Sequence, residues 1–585
     1  MKHFSKIGYP FFGAVGFLFT FCQLTGRDLE RDGNLVWTGG YCAKILLISL
    51  IAGIVVGGLL GRLAKKCGSR EASGELTTRC ENREAFGRFT PGCKSSKYSR
   101  KLTGRSVFIG SFLLNVLAFL PCYLAYYPGI GAYDFPIQMG QVTGGGYIDH
   151  HPILHTLMIG FFRKIGISLV GESAGPNLGM GLLTLFQVLS LAAVLAWGVR
   201  CAADHVNLAS RKSKGLLALL QLYCMAYPFH WYMSVSVAKD IPFTVFFLLT
   251  VITLAEILAS SLGTMARGTM ADIALFLGMV GMILFRNNGR YALLVLLAIV
   301  AAAFVFGKKH RAPMRQLLIN IVLALVAGSL LLSLIFRLTN AEQGDKREML
   351  SVPIQQLARC MVYHGGVGSE DSISPQDKAL INDFLLNESY RQYRPDISDP
   401  VKSHTNTYVV RYRTGEFVKT YLHLFTQYPG DYLNAVLATN AGYLYLNDIS
   451  HAYINVNGRD RGLGYVQTRW LDEELAQFGL STDSKFPAWK EILERFADGN
   501  SYLKVPIVKY LFVPGTWLWL YLFLCGWLLA RRRGCMCLPL CLVFGYFLTL
   551  FLGPTVQLRY LYPVMTAFPF LLFLTRPHVR PRQQT

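Results

Sequence analysis

The sequence has few charged residues, and acidic residues are the scarcer kind. Of its 585 residues, 35 are Asp or Glu and 57 are Lys or Arg, so charged residues make up only 16% of the chain. Hydrophobic residues make up 52%, and the mean hydropathy is +0.35. This composition argues against a soluble protein and is typical of an integral membrane protein.

Several local patterns that would indicate a particular chemistry are also missing. The 13 cysteines are scattered, and only Cys360 lies in the long polar segment 337–505, so no disulfide framework is indicated there. No Gly-rich nucleotide fingerprint and no His-Glu-x-x-His metal motif occur. We find no internal repeat of the kind that marks many secondary transporters.

Long apolar runs are what the chain has in abundance. They predict an all-α polytopic membrane protein with about twelve transmembrane helices. The runs centre on residues 9–26, 41–61, 107–127, 178–199, 215–237, 241–262, 270–285, 291–306, 316–336, 508–530, 535–553 and 559–575.

The net charge of +22 is concentrated in short loops beside these runs. The positive-inside rule explains that excess better than nucleic-acid binding does, so no nucleic acid is expected as a partner. The basic loops 62–106, 200–214, 308–315 and 531–533 are predicted to be cytoplasmic, as are both termini, in a multi-pass plasma-membrane protein. Counting spans from those loops places the intervening polar segments outside.

One moderately apolar stretch complicates that count. Residues 153–170 contain Arg163 and Lys164, and a full crossing there would put the basic loop 200–214 on the outer side. We therefore predict a helix that lies along the outer membrane surface.

The organisation that follows has four regions. Residues 1–106 form an N-terminal helix pair with a basic cytoplasmic loop, and residues 107–336 form a transmembrane core with an external loop at 128–177. Residues 337–507 form an inserted extracytoplasmic domain of mixed but mostly helical structure, with helices at 376–387 and 430–446 that open at Pro375 and Pro429. Residues 508–585 return to the membrane and end in a basic tail.

The external loop of the core carries the first group of candidate functional residues. Asp134 follows a membrane helix directly and is a candidate catalytic acid or base, although a solvated loop aspartate that caps a turn explains it too. Asp149, a second catalytic candidate, precedes His150 and His151 after three glycines. These acids and imidazoles are candidate ligands of a divalent cation such as Mg or Mn, without a fixed ligand spacing and with no cofactor certain. His151 is equally well explained as a cap of the next helix.

Basic residues at the predicted outer boundary form the second group. Candidate substrate-binding residues are Lys239, Asp240, Arg286, Asn287, Asn288, Arg290 and Arg559, together with His150 and His151. Guanidinium groups suit bidentate phosphate recognition. The alternatives are an interfacial salt pair at Lys239 and Asp240 and ordinary lipid headgroup contacts at the arginines.

These motifs in this order, PGIGAYD, HHP, KDIPF, RNNGRY and QLRYLYP, resemble the GT-C superfamily of membrane glycosyltransferases, and more narrowly a bacterial branch of it. The resemblance covers residues 107–575 as order and topology. It implies a GT-C-like core in which Asp134 matches the acid of the first external loop and residues 153–170 match a juxtamembrane helix. The paired acid that usually follows is Phe135 here, which puts metal dependence in doubt.

The resemblance implies transfer of a sugar from a polyprenyl-phosphate donor to an extracytoplasmic cell-envelope glycan, lipid or protein, with the active site facing outward among membrane lipids. In this scheme the cations stabilise the leaving phosphate while Asp134 activates the acceptor hydroxyl. Two alternatives remain open from the sequence. One is a transporter or flippase of lipid-linked saccharide or anionic lipid, and the other is a noncatalytic scaffold of envelope assembly.

Overall fold

The computed structural model describes residues 8–84, 104–132, 134–206, 208, 210–261, 269–307, 311–366, 371–447, 475–499, 501–531 and 533–576. This part of the chain is overwhelmingly α-helical, which confirms the predicted all-α class. Its only named strands are β1 (Ile130–Gly131) and β2 (Ser236–Val237), which pair in parallel.

The helices follow the apolar runs closely. They are α1 (Gly8–Asp32), α2 (Gly39–Glu84), α3 (Gly104–Ala125), α4 (Phe135–Gly144), α5 (Ile153–Asp204), α6 (Arg211–Ala226), α7 (Pro228–Ser234), α8 (Asp240–Ser261), α9 (Thr269–Phe285), α10 (Asn287–Phe306), α11 (Arg311–Thr339), α12 (Ser351–His364), α13 (Pro375–Phe384), α14 (Asp399–Lys402), α15 (Thr407–Tyr412), α16 (Thr414–Gln427), α17 (Pro429–Thr439), α18 (Ala441–Leu444), α19 (Pro487–Gly499), α20 (Pro514–Ala530), α21 (Leu538–Phe551) and α22 (Leu558–Leu574).

Among the described residues, seven helical segments are long and apolar enough to cross a bilayer, and three shorter apolar helices accompany them. The seven lie in α2, α3, α5, α8, α10, α11 and α21, and the shorter three lie in α9, α20 and α22. The protein is therefore an all-α membrane protein, while the count of twelve spans stays a prediction. The predicted run 215–237 is not one helix, because the chain breaks at Tyr227 between α6 and α7.

The prediction for residues 153–170 was wrong in its geometry. These residues form the first arm of a helical hairpin within α5, which reverses at Gly171 (φ 81°, ψ 176°). A Cβ atom on Gly166 would collide with the backbone of Gly175 and Gly179, so small residues allow the two arms to touch. The first arm lies antiparallel along the second instead of flat on a membrane surface.

The second arm of that hairpin fixes the direction of the bundle. Asn115 Nδ2 donates to Ala192 O at 3.3 Å, and Tyr123 Oη donates to Gly181 O at 3.1 Å, so α3 and the second arm are antiparallel. The basic loop after α5 consequently lies at the same end of the bundle as the start of α3. The loop after α3 lies at the opposite end, which we call the site end.

The predicted insertion is divided between two cores. Residues of α12–α17 form a hydrophobic cluster of their own, which includes Leu357, Phe384 and Tyr432. Helices are confirmed in both predicted segments, 376–387 and 430–446, but α13 ends at Phe384 and the second segment is divided at Asn440 into α17 and α18. By contrast, Leu493 and Phe512, from α19 and the approach to α20, belong to the main membrane core. Among the described residues of this segment, the part from α12 to α17 has a hydrophobic core of its own, and we use the name outer domain for this part.

The outer domain is held at the site end by contacts from distant segments. Trp37 Nε1, in the α1–α2 connection, donates to Asn434 Oδ1 at 2.8 Å. Ser398 N donates to Pro554 O at 2.9 Å, which ties the domain to the segment before α22. Asp149 N donates to Glu342 O at 3.0 Å, so the segment after α11 covers the loop between α4 and α5.

Candidate functional site

A short strand pair positions the loop that carries Asp134. Ile130 N donates to Val235 O at 2.8 Å. Strand β1 pairs with β2, which begins three residues before Lys239. Gly129 (φ 149°) makes this approach possible, because a Cβ atom there would collide with Thr184 Oγ1. The loop after α3 is thereby held against the start of α8.

Asp134 stands at the centre of a buried polar cluster. Lys239 Nζ lies 2.9 Å from Asp134 Oδ2 and 3.0 Å from His151 Nδ1. Arg559 Nη1 lies 4.0 Å from the same carboxylate oxygen. Residues from three separate parts of the sequence thus meet at one point, and their side chains are no more than 15% exposed.

A second ion pair adjoins the first. Arg286 Nη1 donates to Asp240 Oδ1 at 2.5 Å and to Tyr546 Oη at 3.2 Å. The ring of Tyr560 links the two groups, because the guanidinium carbons of Arg286 and Arg559 lie 4.7 Å and 4.8 Å from its centroid. Arg559 also donates to Gln557 Oε1. We call this set, Asp134, His151, Lys239, Asp240, Arg286 and Arg559, the charged cluster.

The charged cluster lies where four helices begin. Asp134 and Arg286 are the N-cap residues of α4 and α10, while Asp240 and Arg559 stand in the first turns of α8 and α22. The N-terminal ends of helices favour negative charge. Three basic side chains also face only two carboxylates, so the cluster is suited to one further anionic group.

The two aspartates of the region between α3 and α5 differ in the direction of their pKa shifts. Burial would raise the pKa of Asp134, but Lys239, Arg559 and His151 outweigh it and hold that pKa well below its usual range. Burial raises the pKa of Asp149 to about 6, against the opposing effect of Arg290. A carboxylate with a strongly lowered pKa is a weak base, so Asp149 is better suited than Asp134 to accept a proton near neutral pH.

The remaining predicted residues lie beside the charged cluster and not within it. His150 is exposed, with its ring 4.6 Å from that of His151. Asn287 is exposed, and Asn288 donates to Thr549 Oγ1 at 2.8 Å. Asp149 lies two residues before His151 in the chain, and Arg290 lowers the pKa of Asp149 against the effect of burial.

The hypothesis of a divalent cation finds no assembled ligand set. No group of three or more His, Cys, Asp or Glu side chains in the described ranges is arranged to hold a metal ion. Asp134 instead directs its carboxylate at basic side chains. We therefore derive no chemical step through a metal.

Sequence reasoning missed one contributor to the cluster. Tyr546 lies inside the apolar helix α21 and is fully buried, yet its hydroxyl accepts from Arg286 and donates to Tyr560 O at 2.8 Å. An aromatic residue in an apolar run gives no signal of such a role.

The fold and this cluster define a class: an all-α membrane protein with a buried, predominantly basic site where several helices begin. The chain belongs to a family of unknown function, DUF6020, whose match covers residues 143–585. Searches of curated proteins and of solved structures found no match. The family match includes Asp149, His151, Lys239, Arg286 and Arg559 but begins after Asp134.

Proposed function

We propose that this protein is an integral membrane glycosyltransferase that takes a sugar from a polyprenyl-phosphate donor and transfers it to an extracytoplasmic cell-envelope acceptor. The proposal includes a GT-C-like core of about twelve spans in the plasma membrane, with the site end facing outward. The observation that carries it is the charged cluster, whose surplus of basic side chains at four helix starts matches the phosphate of a lipid-linked sugar.

The position of the cluster in the bundle supports a lipid-borne ligand. Asp240, Arg286 and Arg559 are each at most 8% exposed, at the ends of apolar helices. Burying charge at this depth is costly unless a countercharge is supplied. A phosphate joined to a membrane-embedded chain brings that countercharge at the depth where the helices begin.

The transfer step assigns different tasks to the two aspartates. The bond between the anomeric carbon of the sugar and the phosphate oxygen breaks, and its electron pair remains on the phosphate. Lys239 and Arg559 stabilise that anion, while Asp134 orients both cations. The acceptor oxygen bonds to the anomeric carbon, and its proton passes to the carboxylate of Asp149.

Comparative mass spectrometry tests the proposed activity. Envelope glycans and lipid-linked sugars are measured in cells that contain the wild-type protein, the Asp149→Asn variant or no protein. We expect one polyprenyl-phosphate sugar to accumulate and one envelope glycan to disappear in the latter two. Unchanged profiles in all three would refute glycosyl transfer.

Labelling in intact cells tests the sidedness. An impermeant thiol reagent should modify a Ser372→Cys variant and leave a Ser73→Cys variant unmodified, beyond the background of the native cysteines. Cys360, the native cysteine in the outer domain, is fully buried and adds little to that background. Modification of Ser73→Cys alone would reverse the proposed orientation.

One observation favours transport as a second candidate function. Helix α8 carries a buried ionic contact at each end, since Asp240 meets Arg286 at the site end and Glu256 Oε1 lies 2.9 Å from His205 Nε2 near the other end. Alternating access requires a carrier to close its site first on one side and then on the other, and contacts at the two ends of one helix suit that task. Movement of a polyprenyl-phosphate sugar across proteoliposomes without any acceptor, lost in Glu256→Gln and kept in Asp149→Asn, would favour transport over transfer.

A further inference from the structure

The two arginines of the charged cluster differ in what holds their guanidinium groups. Arg286 Nη1 donates to Asp240 Oδ1 at 2.5 Å and to Tyr546 Oη at 3.2 Å, so a carboxylate and a hydroxyl occupy the edge of that group. Arg559 lies farther from its acid, because its Nη1 atom is 4.0 Å from Asp134 Oδ2. The charge of Arg286 is therefore paired closely within the protein, whereas the charge of Arg559 is paired at a longer distance.

The side chain of Tyr560 contacts both guanidinium groups. Its ring centroid lies 4.7 Å from Arg286 Cζ and 4.8 Å from Arg559 Cζ, and both distances are within the range of a cation–π contact. Tyr560 Oη also accepts from Arg559 Nη2 at 3.2 Å. Because two positive groups repel each other strongly in a buried site, a shared ring with an electron-rich face lowers the cost of holding both of them there.

Tyr560 is itself held in place by α21. Tyr546 Oη donates to Tyr560 O at 2.8 Å and accepts from Arg286 Nη1. The ring of Phe243 gives Arg286 a second aromatic contact, with the guanidinium carbon 5.8 Å from its centroid. Contacts from α8, α10 and α21 therefore fix the ring that stands in the first turn of α22.

An aromatic ring positions an arginine in a different way from a carboxylate. A carboxylate neutralises the charge and uses N–H groups at the edge of the guanidinium, as Asp240 does with Arg286. A ring contacts the face of the group, so the charge and N–H groups at the edge stay available for a forked contact with phosphate.

We infer that Tyr560 is a positioning residue, whose ring holds the guanidinium of Arg559 where it binds the phosphate of the lipid-linked sugar without neutralising its charge. This inference rests on the proposed function, because it assigns the phosphate to Arg559. Arg286 then serves the same site indirectly, since it supports the ring from the other ion pair.

Two substitutions separate the ring from the hydroxyl. Tyr560→Phe keeps the ring, whereas Tyr560→Leu removes it and keeps an apolar side chain. We expect binding of a polyprenyl monophosphate to weaken about tenfold in Tyr560→Leu and no more than about threefold in Tyr560→Phe. Tyr412→Leu is the matched control and should bind as the wild type does, because Tyr412 is 65% exposed in the outer domain with Arg411 Cζ 5.2 Å from its ring centroid. Wild-type binding by Tyr560→Leu, or equal weakening in the Leu and Phe variants, would overturn the inference.

A double-mutant cycle separates positioning from a general structural effect. Each protein is described by the ratio of its affinities for polyprenyl monophosphate and for the uncharged polyprenol, so that losses common to both lipids cancel. In a protein that already carries Arg559→Ala, adding Tyr560→Leu should change this ratio by less than about twofold, because the ring acts through Arg559. Multiplication of the two losses would overturn the inference and leave the phosphate site intact. A ratio of one in the wild type would instead contradict the proposed function, and the inference with it.

Discussion

Two buried arginine clusters in this protein differ in how completely their charges are paired. In the outer domain, Arg359 is fully buried and donates to Asp431 Oδ1 at 2.9 Å and to Tyr393 Oη at 3.3 Å, and it also donates to Asn34. Both carboxylate oxygens of Asp431 have partners, because Oδ1 accepts from Arg359 and Oδ2 lies 2.8 Å from His364 Nε2. The charged cluster at the site end has three basic side chains against two acids, and within the described chain Asp240 Oδ2 and His151 Nε2 have no partner.

The difference indicates two uses for buried charge. A fully paired arginine fixes the position of its neighbours, and Arg359 joins the outer domain to the α1–α2 connection in this way. An incompletely paired cluster costs stability in the free protein, and a ligand of opposite charge recovers that stability. The predictions below test this contrast.

The largest expected effect is on the stability of the cluster around Arg359 in the outer domain. Arg359→Ala removes a fully buried guanidinium and leaves the half-buried Asp431 with His364 as its remaining charged partner, so the free energy of unfolding of the outer domain should fall by about 3 kcal/mol. Susceptibility to proteolysis within α12–α17 measures this change. Arg391→Ala, which removes an exposed pair with Glu388, should change stability by no more than about 0.5 kcal/mol. Equal sensitivity of the two variants would contradict a structural role for Arg359.

The next effect is on catalysis. Asp149→Asn should reduce sugar transfer about a hundredfold or more, because it removes the proposed general base. Burial raises the pKa of Asp149 to about 6, so the wild-type rate should fall as the pH drops through about 6 and the carboxylate becomes protonated. The variant should lose this dependence. The control is Asp396→Asn, at a side chain that is 39% exposed. If the pH profile of Asp149→Asn were the same as that of the wild type, Asp149 would be excluded as the base.

A smaller effect is expected for the phosphate contact itself. Arg559→Ala should weaken binding of a polyprenyl monophosphate about tenfold to hundredfold, and Arg559→Lys should restore only part of it, because an ammonium cannot make a forked contact. Arg290→Ala should have less effect, since Arg290 faces Asp149. Binding to purified protein, measured against the uncharged polyprenol, gives the comparison. If Arg290→Ala weakened binding more than Arg559→Ala did, the phosphate would lie at the edge of the site.

The smallest expected effect distinguishes two possible roles of Asp134, which are a countercharge to the basic side chains and a general base. Asp134→Asn removes a countercharge from Lys239 and Arg559, so polyprenyl monophosphate should bind about threefold to tenfold more tightly. Without lipid, the variant should unfold at a lower temperature than the wild type. Weaker lipid binding by a folded Asp134→Asn variant would show that Asp134 positions the cations more than it competes with the anion for them.

The length of the apolar runs predicted most of the fold, because a bilayer requires long apolar helices whichever neighbours those helices contact. The sequence did not predict the hairpin at Gly171. The hairpin depends on the absence of side chains at Gly166, Gly175 and Gly179, which allows its two arms to approach closely. A single sequence does not show which helix surfaces approach each other. The allocation of α19 to the main core was missed for the same reason, since helix amphipathicity shows that a face is buried but not against which partner.

The candidate site was predictable in its residues and not in its pairing. Lys239, Asp240, Arg286 and Arg559 stood out as charges beside apolar runs. The sequence could not show that Asp134 would meet Lys239 and Arg559, because that depends on the two-residue strand pair and on the packing around Gly129. Asp134 was interpreted as the base because of its place in the loop. The low pKa of Asp134 results from long-range contacts instead.

The contact between Arg359 and Asn34 bears on what a minimal working version of this protein must contain. The segment shared with the family starts at residue 143. A truncated protein that began there would lose Asn34, one of the partners of the buried Arg359 guanidinium, together with Trp37 and Asp134. The stretch by which relatives are recognised is therefore shorter than the stretch that packs as one piece, and expression of the former alone should yield an outer domain that docks less firmly, held by contacts such as that between Ser398 and Pro554.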